Sequence, residues 1–106
     1  MRTLAIVLAG GTGKRMGSPP SKQFLLLDSR PILVHTLQVF EECKPIDGVY
    51  LVVNHKDLPV IQEEVLEQYR FNKIMKLVVG GRQRQDSVRN GIEAIDESCD
   101  IVVIHD

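Results

Sequence analysis

The fold of this chain is decided by residues 4–24, LAIVLAGGTGKRMGSPPSKQF, in which an apolar strand runs into a basic, glycine-rich loop. Leu4–Leu8 has the continuous apolar character of a parallel strand that is buried on both faces. Gly10, Gly11 and Gly13 accept positive φ and let backbone N–H groups come close to phosphate oxygens. The stretch therefore predicts a strand followed by a polyphosphate-binding loop.

Three cationic side chains accompany these glycines: Lys14, Arg15 and Lys22. Arginine can hold two phosphate oxygens in a fixed fork, whereas lysine acts as a mobile point charge. The combination suits a group whose charge shifts during a reaction. A glycine turn with no phosphate role is the alternative interpretation, and the three cations make it less favourable.

Neither of two better-known phosphate loops fits the same residues. A Walker A loop requires glycine five residues before Gly13, where Leu8 stands, and serine or threonine at the position of Arg15. A dinucleotide fingerprint that starts at Gly11 requires glycine at the position of Met16. The loop belongs to neither class.

Composition bounds the size of the fold and the kind of ligand. With 106 residues and 43% hydrophobic content, the chain can form a single domain or part of one. Its net charge of −1 argues against a general nucleic-acid or membrane surface. The basic residues beside the glycine loops are therefore expected to bind a small anion.

The cysteines and the N-terminus indicate a cytoplasmic protein. Cys43 and Cys99 show neither metal-ligand spacing nor a C-x-x-C pattern, so we interpret them as reduced structural thiols. The first apolar run is too short for a secretory signal, and no run reaches the roughly 18 residues of a membrane span.

Strand and helix patterns alternate along the chain without a linker. Strands are predicted at 4–8, 49–53, 73–79 and 101–104, of which the first, second and fourth are expected to be buried, and helices are predicted at 31–43, 57–69 and 86–95. Pro31 is expected at the first helical position, and Val88, Ile92 and Ile95 are expected to form the buried stripe of the last helix. The fold class is α/β, with a doubly wound and mainly parallel sheet whose ligand site lies beyond the carboxyl ends of its strands.

Three segments should converge at that edge, because each follows a strand: Gly10–Lys22, Gly80–Ser87 and His105–Asp106. Arg82, Arg84 and Arg89 add positive charge to the second segment. Ser87 stands where a helix N-terminus could present its hydroxyl and N–H groups to a ligand. The alternative is that Asp86 or Ser87 is simply the helix N-cap, with solvated arginines beside it.

The fourth strand ends in two polar residues with different expected roles. Asp106 beside a polyphosphate loop is a natural Mg²⁺ ligand, although an ordinary strand-end turn residue is the alternative. We interpret His105 as a packed strand-end histidine.

At these residues the chain resembles a known family. The motifs LAGGTGKRMGSPPSKQF, GGRQRQDSV and VVIHD, in this order over the whole chain, resemble the cytidylyltransferases that make 4-diphosphocytidyl-2-C-methylerythritol in the non-mevalonate isoprenoid pathway. The resemblance implies the nucleotidyltransferase (Rossmann-like) version of the doubly wound sheet. It also implies CTP and 2-C-methyl-D-erythritol 4-phosphate as substrates, Mg²⁺ as cofactor and pyrophosphate as a product.

The resemblance assigns roles to individual residues. Arg15 and Lys22 correspond to the family's catalytic cations, and Asp106 to its metal-side and ribose-side aspartate. The residues expected to bind CTP are Ala9, Gly10, Gly11, Gly13, Lys14, Gly80, Gly81, Arg82, Arg84, Ser87 and Asp106. Position 82 is often acidic in relatives, which puts only the side-chain role of Arg82 in question.

Two alternatives remain open at this point. Ribitol-5-phosphate cytidylyltransferases resemble the same motifs and differ mainly in the second substrate, and LAGG at positions 8–11 leans slightly toward them. A CTP-binding module without turnover is the other, because family members are about twice as long as this chain. We expect residues 1–106 to be the nucleotide-binding N-terminal part of one truncated domain, inactive alone and homodimeric at full length.

Overall fold

The structure, a computed structural model, describes residues 1–9, 26–27 and 30–106. The predicted phosphate loop, with Gly10, Gly11, Gly13, Lys14, Arg15 and Lys22, lies outside the described residues. The strands are β1 Thr3–Ala9, β2 Leu26–Leu27, β3 Arg30–Pro31, β4 Gly48–Val53, β5 Ile74–Val79 and β6 Ile101–His105. The helices are α1 Ile32–Glu42, α2 Leu58–Val60 and α3 Arg84–Ala94.

Four of the strands form one parallel sheet in the order β5-β4-β1-β6, and β2 and β3 form a separate antiparallel pair. Every residue of β4 is buried, and most of β1 is buried with it. Continuous burial on both faces explains why these strands are uninterrupted apolar runs. The predicted parallel sheet is confirmed.

Helices cover both faces of this sheet, as the doubly wound prediction requires. One core cluster joins the sheet to α1 and to the segment after β4: Ala5, Val7, Ala9, Leu33, Val34, Leu37, Ile46, Val49, Leu51, Val53, Ile61 and Val65. The opposite cluster contains Leu4, Ile6, Tyr50 and Val52, with Ala94 and Ile95 of the α3 region packed against it. No helix in the described ranges is long and apolar enough to cross a bilayer.

Two aspartates fix the start of β1 between its neighbours. The Thr3 N–H donates to Asp47 Oδ2 at 2.8 Å, and the Arg2 N–H donates to Asp100 Oδ2 at 2.7 Å. In return, the Asp47 and Asp100 N–H groups donate to the carbonyls of Thr3 and Arg2, each at 2.8 Å. Each aspartate directly precedes a strand, so these reciprocal bonds set the register of β4 and β6 against β1.

The first two predicted helices differ from the structure at their ends. Pro31 has φ −56° and ψ 144°, an extended conformation that belongs to β3, so α1 begins at Ile32 and ends at Glu42. The expected Asp57–Tyr69 helix is instead a 3₁₀ turn at His55–Asp57, followed by α2 and then a π-helical segment at Ile61–Leu66. Ile61 and Val65 are its buried residues. Their spacing of four residues predicts a helix, but it does not distinguish an α-helical segment from a π-helical one.

The prediction of an apolar stripe on α3 is wrong at its centre. Ile92 is 49% exposed, and the buried residues of α3 are Ser87 and Gly91. A Cβ added at Gly91 would lie 2.9 Å from Ile6 Cγ2 and 3.2 Å from Val52 Cγ2. The helix therefore lies against the sheet through small residues at Ser87 and Gly91, and Ile92 lies outside the core.

β6 corrects a second prediction. Its residues were expected to be buried, but Ile101, Val102, Val103 and Ile104 are 37–44% exposed. Within the described ranges, β6 pairs with β1 and with no other strand. Its outer edge is therefore open in the part of the chain that the structure describes.

The close contact at Gly91 predicts a large penalty for a side chain there. We expect Gly91→Val to lower the free energy of unfolding by about 1–3 kcal/mol, because the added methyls would overlap Ile6 and Val52. The measurement is urea denaturation followed by circular dichroism. Glu93→Val is the matched control, since it introduces the same residue at an exposed position of the same helix. Equal losses in the two variants would contradict the packing role of Gly91.

Candidate functional site

The candidate site lies at the carboxyl edge of the parallel sheet. β1 ends at Ala9, β4 at Val53, β5 at Val79 and β6 at His105, so the segments that follow these strands meet at this edge. Two of the three predicted segments, Gly80–Ser87 and His105–Asp106, are described and are joined here by a side-chain contact. The third segment, Gly10–Lys22, lies outside the described residues, and Ala9 is the last described residue before it.

The Gly80–Gly81 loop is held tightly between β4 and α3. The Gly80 N–H donates to the Val53 carbonyl at 2.8 Å, and the Gly81 N–H donates to Ser87 Oγ at 3.1 Å. A Cβ at Gly80 would lie 2.6 Å from Ser87 Oγ, and one at Gly81 would overlap Asp86 Cβ. Both glycines are therefore required by the close approach of the loop to the helix.

The first turn of α3 is capped by residues on either side of Arg84. Gln83 is the N-cap, and the Gln83 N–H donates to Asp86 Oδ2 at 3.2 Å in a reciprocal capping box. The alternative prediction, with Asp86 or Ser87 as N-cap, is wrong in position, although Asp86 caps the helix from its third residue. This turn places the positive end of a helix dipole at the carboxyl edge.

One further residue ties α3 to the sheet and was not found from the sequence. Asn90 Nδ2 donates to the Val79 carbonyl at 3.1 Å, which connects α3 to the last residue of β5. A single asparagine inside a helix carries no spacing signal, so its role becomes visible only with the fold.

Arg84 and Asp106 form a forked ion pair across the edge. Arg84 Nε lies 2.7 Å from Asp106 Oδ1, and Arg84 Nη2 lies 3.0 Å from Asp106 Oδ2. The hydrogen bonds from Arg84 lower the pKa of the Asp106 carboxyl, and the same contact raises the pKa of the Arg84 guanidinium. Because the pKa of Asp106 is lowered and that of Arg84 is raised, the carboxylate is ionised and the guanidinium is protonated at neutral pH, so both members of the pair are charged.

The other predicted residues of this segment have distinct surroundings. Ser87 is 5% exposed, whereas Arg82 is exposed. Arg89 Nη1 lies 3.9 Å from Asp86 Oδ1, one turn earlier on the same helix. His105 has a tilted ring contact with Phe40 of α1, with centroids 5.3 Å apart, but it is exposed, so it is not the packed strand-end histidine that was predicted.

A cleft of about 240 Å³ opens beside Asp106, between the end of β1 and the start of α1. Apolar side chains form most of its wall, and Thr36 and Asp106 contribute the polar groups: the lining is Val7, Leu8, Ala9, Ile32, Leu33, Thr36 and Asp106. The cleft brings β1, α1 and the end of β6 around one space at the predicted ligand edge.

A divalent metal ion at this edge would need oxygen, nitrogen or sulfur ligands from nearby side chains. In the part of the chain that the structure describes, no three His, Cys, Asp or Glu side chains are grouped to hold a metal. Mg²⁺ does not need such a cage, because it keeps several waters and is commonly held by one or two carboxylates together with substrate phosphates. The ionised Asp106 at the ligand edge fits a metal that is shared with a nucleotide.

Comparisons with known proteins identify the family to which the chain is similar. The sequence model of the IspD family, 2-C-methyl-D-erythritol 4-phosphate cytidylyltransferase, matches residues 3–106. Enzymes of that name from Geotalea uraniireducens and Syntrophus aciditrophicus are 48% and 46% identical to the chain over 100% and 99% of its length. The matches cover 46% and 45% of those two relatives, so the chain spans about half their length.

Solved structures give the same result for the fold. The crystal structure of 4-diphosphocytidyl-2C-methyl-D-erythritol synthase from Anaerococcus prevotii matches 99% of this chain and 42% of its own, with a TM-score of 0.78 and 30% identity. The 2-C-methyl-D-erythritol 4-phosphate cytidylyltransferase of Francisella tularensis matches 100% of this chain and 44% of its own, with a TM-score of 0.75 and 27% identity. The expected nucleotidyltransferase fold is confirmed.

The hydrogen bond between Gly81 and Ser87 leads to a prediction about the loop. Ser87→Ala removes the acceptor of a partly buried N–H, so we expect a loss of about 1 kcal/mol in unfolding free energy and faster hydrogen exchange at the Gly81 amide. Urea denaturation and amide exchange by NMR measure the two effects. Ser98→Ala, at an exposed position beyond α3, is the control. Unchanged exchange at Gly81 would show that Ser87 does not hold the loop.

Proposed function

Because the chain belongs to the 2-C-methyl-D-erythritol 4-phosphate cytidylyltransferase family, we propose that it forms the nucleotide half of an enzyme that joins CTP and 2-C-methyl-D-erythritol 4-phosphate. The products are 4-diphosphocytidyl-2-C-methyl-D-erythritol and pyrophosphate. The observation that carries the proposal is the assembled carboxyl edge, where the Gly80–Ser87 segment reaches Asp106 through Arg84. Two segments that the family motifs single out thus occupy one place.

The proposed base site uses backbone groups at the two glycine segments, with Ser87. Ala9 to Gly11 and Gly80 to Arg82 would line the cytosine, and the close packing at Gly80 and Gly81 supports this because it fixes where their backbone groups lie. Ser87 Oγ accepts a hydrogen bond from Gly81 and, as a hydroxyl, also carries a donor. Groups that pair with the N4 donor and N3 acceptor of cytosine would stay unsatisfied with uracil, at about 1–3 kcal/mol each.

The proposed chemistry needs charge more than proton transfer. The substrate phosphate is already an anion, so it attacks the α-phosphorus of CTP in line without a general base. The barrier lies in bringing two anions together and in the charge that develops on the leaving pyrophosphate. Arg15 and Lys22 are proposed to offset that charge, with Gly10, Gly13 and Lys14 at the triphosphate.

Nucleotidyltransferases are generally metal-dependent, and we propose Mg²⁺ as the ion and Asp106 as its protein ligand. Bound there, it would supply Lewis-acid neutralisation of the phosphates. Arg82 and Arg84 are proposed to act at the nucleotide side of the same edge. Homodimerisation of a full-length protein, a cytoplasmic location and the absence of nucleic-acid binding stay predictions from the sequence.

The identity of the second substrate is proposed from the family alone, because no contact among the described residues bears on it. Ribitol 5-phosphate is the competing substrate, because the two classes of enzyme share the nucleotide motifs. We propose methylerythritol phosphate, since the family model and both curated relatives carry that substrate in their names.

An assay of pyrophosphate release tests the function. A form extended to the length of the relatives is expected to release pyrophosphate from CTP with methylerythritol phosphate, and far more slowly with ribitol 5-phosphate. CTP should be preferred over UTP, ATP and GTP. Residues 1–106 alone should be much slower, because in-line transfer requires the attacking phosphate about 3–3.5 Å from the phosphorus. Faster release with ribitol 5-phosphate would replace the proposed substrate, and release with neither would favour a binding module.

The catalytic assignment of the cations has its own test in the extended form. Arg15→Met and Lys22→Met are expected to lower kcat by about 10²–10³-fold while weakening CTP binding much less, because the charge that they offset grows in the transition state. Steady-state kinetics and calorimetric CTP binding measure the two effects. Arg70→Met and Lys44→Met are matched controls, since both residues are exposed and lie away from the carboxyl edge. An unchanged kcat with a raised KM would make Arg15 and Lys22 ground-state binders.

A further inference from the structure

Arg84 spans a wide part of the candidate site. It is the first residue of α3, which follows β5, whereas Asp106 follows β6 at the other side of the sheet. Two strands, β4 and β1, lie between β5 and β6, and three strand spacings amount to roughly 14 Å. The ion pair therefore connects the glycine loop beside β5 and β4 to the carboxylate beside β1.

The fork gives this connection a defined orientation. Two nitrogens of Arg84 bind one oxygen each of Asp106, at 2.7 and 3.0 Å, so the guanidinium and the carboxylate are held in a bidentate arrangement. Lysine could supply the charge of Arg84 but not its paired donors. An ionised carboxylate has about four acceptor sites. The two bonds from Arg84 leave acceptor capacity on Asp106 for a ligand.

Stability does not explain this pair. The side chains of Arg84 and Asp106 are 61% and 65% exposed. Exposed ion pairs contribute little to unfolding free energy, because solvent and salt screen them. The backbone of Arg84 is nevertheless well fixed. Arg84 lies between the two residues of the capping box, Gln83 and Asp86, and the buried Ser87 follows them. A rigid support that holds an exposed carboxylate is typical of a group that orients a metal or substrate ligand.

We propose that Arg84 is a positioning residue, whose forked ion pair orients the Asp106 carboxylate toward the nucleotide and its metal ion. The proposal rests on the function proposed above and changes the role that Arg84 has in it. Arg84 acts on the nucleotide through Asp106, whereas a direct phosphate contact would leave Asp106 uninvolved. The base side and the metal side of the site are then coupled through a single side chain.

A double-mutant cycle in the form extended to the length of the relatives tests this role. Calorimetry with CTP, in the presence and in the absence of Mg²⁺, gives the factor by which Mg²⁺ strengthens nucleotide binding. Arg84→Met and Asp106→Asn are each expected to lower that factor about 10-fold, the scale seen when a residue that supports a metal ligand is lost. The double variant should lose no more than either single variant, because both changes disable the same carboxylate.

Three further measurements separate positioning from other roles. Arg84→Lys should lose nearly as much as Arg84→Met, because it keeps the charge and loses the fork. The midpoint of thermal unfolding should change little in all these variants, because the side chains of the pair are exposed. Arg70→Met should behave as wild type.

The outcomes are distinct. If Arg84→Met weakened CTP binding equally with and without Mg²⁺, and its effect multiplied with that of Asp106→Asn, Arg84 would contact the nucleotide directly and the proposal would be wrong. Full rescue by Arg84→Lys would overturn the requirement for the fork. Absence of CTP binding by the wild-type extended form would overturn the proposed function and this proposal together, whereas binding that Arg84→Met left unchanged would overturn the role of Arg84 alone.

Discussion

The close contact between α3 and the sheet is the constraint on which the candidate site depends. Gly91 lies over Ile6 and Val52 at a distance that excludes a Cβ, and Ser87 is buried one turn earlier on the same side of the helix. With the helix fixed at this depth, its first turn lies beside the Gly80–Gly81 loop. A larger residue in either place would lift α3 and separate the loop from the ends of the strands.

Charge at the carboxyl edge is distributed unevenly between the two halves of the site. Arg84 is offset by Asp106, and Arg89 lies near Asp86, so much of the positive charge on α3 is already compensated within the protein. In the proposed enzyme, the charge available for a triphosphate therefore falls mainly to the loop cations Lys14, Arg15 and Lys22. The α3 side would serve orientation and base selection. This division agrees with the net charge of −1, because positive charge is then concentrated at a few positions and not spread over the whole surface.

The sequence predicted the sheet well because its central strands are apolar on both faces, which leaves a continuous signal in β1 and β4. It failed where small residues make the contacts. Hydrophobic periodicity assigned the buried side of α3 to Ile92, but glycine and serine allow the closest packing and carry no hydrophobic signal. The exposure of β6 has a different cause: in the described ranges β6 pairs with β1 alone, and an apolar run does not show how many strands will flank it. The pairing of Arg84 with Asp106 joins residues 22 positions apart, and no local pattern could predict it.

The position of β1 in the middle of the sheet also sets the order in which the molecule can fold. β1 precedes both of its partner strands in the sequence and leaves a ribosome before them, yet Thr3 bonds to Asp47, 44 residues later, and Arg2 bonds to Asp100, 98 residues later. Closing such long loops costs entropy before any contact is gained, so parallel sheets of this kind form slowly. During synthesis, β1 must wait with its apolar faces unpaired until β4 has emerged, and its second edge stays open until β6 follows. β1 is thus made before both of the strands that flank it, and it gains the second of them, β6, only after β5 has also been made.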